Sequence, residues 1–401
     1  MTNRNVGKCD MGFLRKIFAT PNYSCRVFID NFGFKNRGDQ LMIQSVMEQV
    51  RARIPSAQIL VRAHVFRENP SFCMANKLYP LASRNSGSII RKIAKKISNR
   101  LLGDDWIVTP EEIEVVLDCC GYYINDVANK TEESYKNVKH YYELFTKHNI
   151  KVIYLPQAFG PFRNEWSQKI GHMAYQRSTK IFAREKESYN YLKELVGDDK
   201  KLFIAPDFTC LLSASVAPVV QIPKGQYVLV IPNSNMVLKT QAEIANNYIA
   251  FLVAIIDHLN ERGENVYLLN HEGDVEEKLL TSINGKLKKP VAIITKISGT
   301  DIKGVIKDAK LVITARFHGA VSSLSQHVPT LVTSWSHKYV ALLQEHGCEQ
   351  SLLSVTDIAT SIGKINDALS QPAKYVSKEG CETRIEEETI KMWNDVFDCI
   401  G

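Results

Sequence analysis

A chain of 401 residues is too long for one ordinary domain, and its 45% hydrophobic and 23% charged content supplies apolar material for two or three cores. The formal charge of +7 favours anionic small molecules or an anionic surface, but falls short of the strongly basic balance that would argue for nucleic acid. The nine cysteines form no CxxC pair and lack zinc spacing with histidines. No stretch reaches the roughly 18 apolar residues of a membrane span, and the first residues lack a leader's apolar core, so a cytoplasmic protein is expected.

Residues 1–24 read as an arm with a few apolar anchors, and Cys25 to Asp30 is the first strand. The loop NFGFKNRGDQ follows, where Gly33 and Gly38 allow tight turns and Asn31, Asn36 and Asp39 supply hydrogen-bonding groups. Gln40 to Arg53 has helical periodicity, and Gln58 to Val65 reads as a second strand. Residues 66–105 break the alternation and read as an insertion. Within it, residues 88–102 put Ile89, Ile90, Ile93, Ile97 and Leu101 on one helical face, with lysines and arginines around the rest. Such a helix either lies in a membrane interface or packs on its own core.

Glu114 to Cys119 is a third strand, and its Cys119-Cys120 pair lies in an apolar run, as buried thiols do in a reducing compartment. Lys151 to Leu155, Thr179 to Ala183 and Leu202 to Ala205 are the next three strands, the last two running into Arg184 and into Pro206-Asp207. Strands alternating with helices over this length predict a parallel, doubly wound sheet. Residues 213–225, SASVAPVVQIPKG, read as a linker. The alternation then restarts, with strands at Tyr227–Ile231, Val266–Asn270, Val291–Thr295, Leu311–Thr314 and Thr330–Thr333. The expected organisation is α/β: a Rossmann-like domain over 1–212, a linker, a second Rossmann-like domain over 226–356, and helices over 357–401 placed to cross back. Two parallel-sheet domains facing a central cleft is the GT-B arrangement.

The stretch from Lys310 to Ser336 sets Arg316 and His318 at the carboxyl end of a strand, where a helix begins. Open α/β sheets bind ligands there, and a helix start favours anions. Position alone leaves a capping arginine and a core-edge histidine equally open. His271-Glu272-Gly273-Asp274 ends another strand and reads as cleft lining or as a turn and cap.

RFHGAVSSLSQHVPTLV, followed by SWSHKYVALLQEHG, resembles the C-domain signature of polysaccharide pyruvyl transferases. NFGFKNRGDQLMIQSV, CCGYYIND, LPQAFGPF, FAREKESYNYL and APDF fall in the family's order, so the resemblance spans roughly residues 25–360. It implies a GT-B-like fold and transfer of a pyruvyl group from phosphoenolpyruvate to a sugar, commonly as a cyclic ketal. The acceptor would be a lipid-linked repeat unit of a surface polysaccharide, with phosphoenolpyruvate as co-substrate and no other cofactor. By the same resemblance, Arg184 and Arg316 hold the donor's phosphate and carboxylate, Lys338 faces the donor, and His318 moves protons. Asn36, Gly38, Asp39, Asn125 and Asp126 would lie towards the acceptor. Two departures stand out: Cys119 to Tyr123 replaces a glycine-rich turn, and Ala158-Phe159-Gly160 stands where some relatives carry a histidine.

The chemistry asks for a similar set. Phosphoenolpyruvate is a small, highly charged anion, which bidentate arginines suit, and ketal formation needs a group that gives and takes protons near neutral pH. Two other classes remain open: a GT-B glycosyltransferase using a nucleotide sugar, and a non-catalytic glycan-binding relative. Arg184 also reads as a helix-end ion pair with Glu185, and Lys338 as part of a solvated helix face.

Overall fold

The structure, a computed structural model, describes residues 23–82, 93, 96–97, 107–214, 225–334 and 336–400. The first half alternates β1 (Cys25–Asp30), α1 (Arg37–Arg53), β2 (Ala57–Arg62), α2 (Ala63–Glu68), α3 (Pro70–Ala75), β3 (Leu78–Leu81), β4 (Val115–Asp118), α4 (Glu132–Lys147), β5 (Lys151–Gln157), α5 (Glu165–Arg177), β6 (Lys180–Ala183), α6 (Lys186–Val196) and β7 (Leu202–Ile204). These seven strands pair in the order β3-β2-β1-β4-β5-β6-β7, every pair parallel. Apolar side chains on both faces explain why the strands show no alternation: Val27, Phe28 and Ile29 are all completely buried.

The second half runs β8 (Val228–Ile231), α7 (Asn235–Leu238), α8 (Ala242–Glu261), β9 (Val266–Leu269), α9 (Gly273–Asn284), β10 (Ala292–Ile294), α10 (Gly299–Lys307), β11 (Leu311–Thr314), α11 (Phe317–Leu324), β12 (Thr330–Val332) and α12 (His337–Glu345). Its sheet is β10-β9-β8-β11-β12, again all parallel. Both sheets thus reverse strand order beside their first strand, where a crevice opens at the carboxyl ends.

Two features differ from the sequence reading. Residues 66–105 are not wholly an insertion, because Leu78 to Leu81 joins the sheet beside β2. Pro80 hid this strand, since proline argues against a central strand but is admitted at a sheet edge, and β3 is the edge. The second strand also stops at Arg62 and turns into α2, three residues short of Val65. Of the basic stretch over 88–102, only residues 93, 96 and 97 are described; they are helical and exposed, and the rest lies outside the described residues.

The two halves meet through specific contacts. Gln40 of α1 donates to Phe34 O (2.6 Å) and accepts from Gly299 N (3.0 Å) at the start of α10. A Cβ on Gly299 would lie 2.9 Å from Arg37 O, so glycine is what lets α10 approach α1 this closely. The buried Lys303 of α10 donates to Thr209 O across 2.9 Å, and Arg37 N donates to His271 O across 3.1 Å. After α12, the chain forms α13 (Ile358–Ser370), packed on the second core, and α14 (Cys381–Asp398). From α14, Met392, Trp393 and Val396 enter the first sheet's core with Val27, Ile29 and Phe208.

Candidate active site

The cleft between the two sheets, about 260 Å³, is walled by the loops that follow β1, β4, β6, β8, β9 and β11 and by the start of α12. Parallel strands point their carboxyl ends at it, so each following segment delivers one to three polar side chains. Arg184, Arg316, His318 and Lys338, far apart in sequence, all line it.

His318, in the first turn of α11, is 8% exposed. Its Nε2 lies 3.4 Å from Asp207 Oδ2, and its Nδ1 faces Gly38, where an added Cβ would sit only 2.2 Å away. Asp207, at the turn after β7, also accepts from Arg184 Nη1 (3.0 Å) and Thr209 N (3.0 Å). Burial pushes its carboxyl up, but the charges of His318 and Arg184 outweigh this and hold it well below the usual carboxylate range. Asp207 is therefore ionised at neutral pH and is shared by Arg184 and His318. Arg184 lies 4.0 Å over the Phe317 ring and also meets Glu185 at 3.8 Å.

Lys338 sits among the rings of Phe317 (5.4 Å), Tyr339 (5.6 Å) and Tyr122 (6.0 Å). Burial and then the Arg184 charge bring its ammonium down to about 7. Asp39 moves the other way: burial and the nearby Glu272 push its carboxyl up to about 7. It accepts from Asn36 Nδ2 (3.1 Å), while Asn36 Oδ1 caps α1 through Gly38 N (2.9 Å).

Arg316 is placed differently from the sequence expectation. Its Nε and Nη2 donate to the fully buried Glu276, and its Nη1 donates to Glu272. All three nitrogens are engaged by carboxylates, so its charge is met internally. Only Glu272, 37% exposed, leaves room for exchange with a ligand. Asn125 and Asp126, expected towards the acceptor, do not line the cleft. Asn125 Oδ1 accepts from Val127 N and Ala128 N within its own turn. Asp126 Oδ1 accepts from Ser167 Oγ (2.6 Å) and Arg163 N (2.9 Å), fixing the entry to α5.

Sequence reasoning gave no role to Asp207, though it noted that β7 runs into Pro206-Asp207; the strand-end position was the usable signal. Lys239, after the short α7, also lines the cleft and carries no such signal. His271 is 1% exposed with neither ring nitrogen hydrogen-bonded, and burial plus the Arg316 and His318 charges keep it neutral.

The family described as polysaccharide pyruvyl transferase matches residues 36–337, from the cap of α1 to the first residue of α12. The chain belongs to the polysaccharide pyruvyl transferase family. The family makes it a transferase of polysaccharide biosynthesis, and beside its cleft Asp207 is met by both His318 and Arg184. Among solved structures the chain is similar to Anabaena HepE in complex with UDP and glucose, at 11% identity and TM-score 0.58, covering 94% of this chain and 98% of that one. It is also similar to a Methanocaldococcus jannaschii UDP-GlcNAc 2-epimerase (14%, TM-score 0.54, covering 91% and 99%) and a Rickettsia africae glycosyltransferase (10%, TM-score 0.55, covering 95% and 98%). These likenesses concern the fold, which is GT-B-like. No curated protein matches the chain by sequence. Among the described residues no helix is long and apolar enough to cross a membrane.

The family departures also find places. Tyr122 lines the cleft and donates to Gly160 O (2.6 Å), whereas Phe159 is fully buried in the core. Phe159 therefore does not line the cleft.

Proposed function

We propose that this pyruvyl transferase moves the pyruvyl group of phosphoenolpyruvate onto a sugar of a lipid-linked polysaccharide repeat unit, as a cyclic ketal, and releases phosphate. The observation that carries the reading is His318, held between Asp207 and Gly38 in a cleft also lined by Arg184, Lys239 and Lys338. Arg184, Lys338 and Lys239 supply the charge that a compact anion requires. Arg316 joins them when Glu272 gives way.

As imidazolium, His318 passes a proton to C3 of the enol phosphate and leaves C2 electron-poor. A sugar hydroxyl attacks C2 and returns its proton to His318. The C2–O bond to phosphate then breaks, phosphate leaves, and a second hydroxyl of the same sugar closes the ring with loss of its proton. Asp207 keeps the imidazole oriented and stabilises its charged form. Asn36 and Asp39, on the first-sheet side, would receive the acceptor. The helical, exposed Ile93 and Ile97 support a contact of the basic stretch 88–102 with the membrane that carries such an acceptor.

The test is phosphate release and product mass with His318→Ala. Turnover is expected to fall roughly 10²–10⁴-fold, with phosphoenolpyruvate affinity largely kept. Normal turnover in the variant would remove the catalytic role. A nucleotide-sugar reading has one support, the fold shared with proteins solved with UDP. Thermal stabilisation by UDP-sugars and none by phosphoenolpyruvate would favour it. Glycan binding with no phosphate release would favour a non-catalytic relative.

A further inference from the structure

A second cavity, about 580 Å³, opens at the carboxyl ends of β1, β2, β3 and β4 on the first sheet alone. The turn after β4 serves both cavities: Cys120, Gly121 and Tyr122 line the cleft, while Asp118, Tyr123 and Ile124 line the second cavity. The proposed mechanism uses none of its side chains.

Its floor is a fixed polar network. Arg62 holds the fully buried Asp30 through both of its oxygens, and Tyr141 donates to the same carboxylate. Asn31 accepts from Arg62 Nη2 (2.9 Å) and donates to Asp118 (2.6 Å). The walls add tyrosine rings, including Tyr123, which is 37% exposed. Arg62, bound to Asp30, also lies near Asp118, and Arg67 lines the same cavity, so among the described residues two guanidinium groups stand with two carboxylates and the formal charges balance. The cleft, by contrast, gathers cations. A charge-balanced pocket with oriented donors and acceptors beside aromatic faces fits a neutral polyhydroxyl ring, and its volume is in the range of small-molecule sites.

We propose that this cavity is a saccharide subsite. It takes a neutral hexose unit of the acceptor, next to the sugar that reacts in the cleft. Naming the sugar as part of the acceptor rests on the function proposed above; that a neutral saccharide binds here does not.

The test uses the full chain and saturation-transfer NMR with lactose, N-acetyllactosamine and chitobiose. At least one disaccharide should receive saturation, with an affinity unchanged by salt, because no net charge is involved. Tyr123→Ala should weaken it about 3- to 10-fold through loss of ring stacking, and His318→Ala should leave it intact. Arg67→Ala, at the same cavity, should also weaken it, guarding against a local effect of Tyr123. Displacement of the sugar by inorganic phosphate, equal binding by wild type and both pocket variants, or transfer to none of the three sugars would overturn the proposal. Sugar binding lost in Tyr123→Ala, with no phosphate released from phosphoenolpyruvate by wild type, would instead uphold the subsite and overturn the proposed reaction.

Discussion

At the scale of single residues, the cleft's charge depends on groups whose proton affinity the fold has moved. Lys338 titrates near 7 because burial and Arg184 disfavour its charged form, so it is cationic below that pH and neutral above. If it faces the donor, kcat/KM for phosphoenolpyruvate falls as pH rises through about 7, and Lys338→Arg extends the plateau to higher pH. Superimposable pH profiles for the two proteins would separate Lys338 from donor binding. Arg316 leads to a stability prediction. Arg316→Ala strands the buried Glu276 carboxylate, and removing one partner of such a pair typically costs about 3–5 kcal/mol. Denaturant unfolding of Arg316→Ala and of Arg316→Met/Glu276→Leu checks this, the double variant being expected to recover much of the loss. Here the sequence was only partly legible. Arg184 and His318 were visible because each follows a buried strand. The partners of Arg316 were not, because Glu276 lies 40 residues away on another element, and no local pattern marks a pair made by folding.

Helices and strands were the most legible level, since buried parallel strands read as short apolar runs between helical periods. β3 escaped because Leu78-Tyr79-Pro80-Leu81 is short and carries a proline. What no periodicity reports is how closely two elements approach. The start of α1 presses on α11 at Gly38, where any Cβ would overlap the His318 ring. Gly38→Ala should therefore displace His318 from Asp207 and lower turnover at least tenfold, while the thermal midpoint moves little, since the clash is with one side chain at a cleft edge. Unchanged turnover would mean that α1 moves away freely and that the close approach has no catalytic role. The basic stretch over 88–102 can be tested at the same level. Sedimentation with anionic vesicles should exceed that with neutral ones and disappear in Ile93→Asp/Ile97→Asp. Equal, negligible binding to both vesicles would leave the stretch without a membrane role.

Across the whole molecule, the two halves meet through α1 and α10, through Lys303, and where Arg184, Asp207 and Cys210 reach α11, while α14 carries apolar side chains from beyond the second sheet into the first core. Trp393, completely buried, sets its ring edge against Phe208 at 5.7 Å and completes a core otherwise built from the first half of the chain. That closure has a biosynthetic consequence. Domains emerging from the ribosome ordinarily fold in turn, the earliest first. Here the first sheet's strands are made long before the helix that seals them, since residues 392–396 follow the whole second sheet in chain order. Throughout synthesis of the second sheet, the nascent first sheet therefore carries an open apolar face where Trp393 will lie, a surface suited to a holding chaperone. Its release and the docking of α14 then wait until the second sheet has been made, a late step that completes the first core.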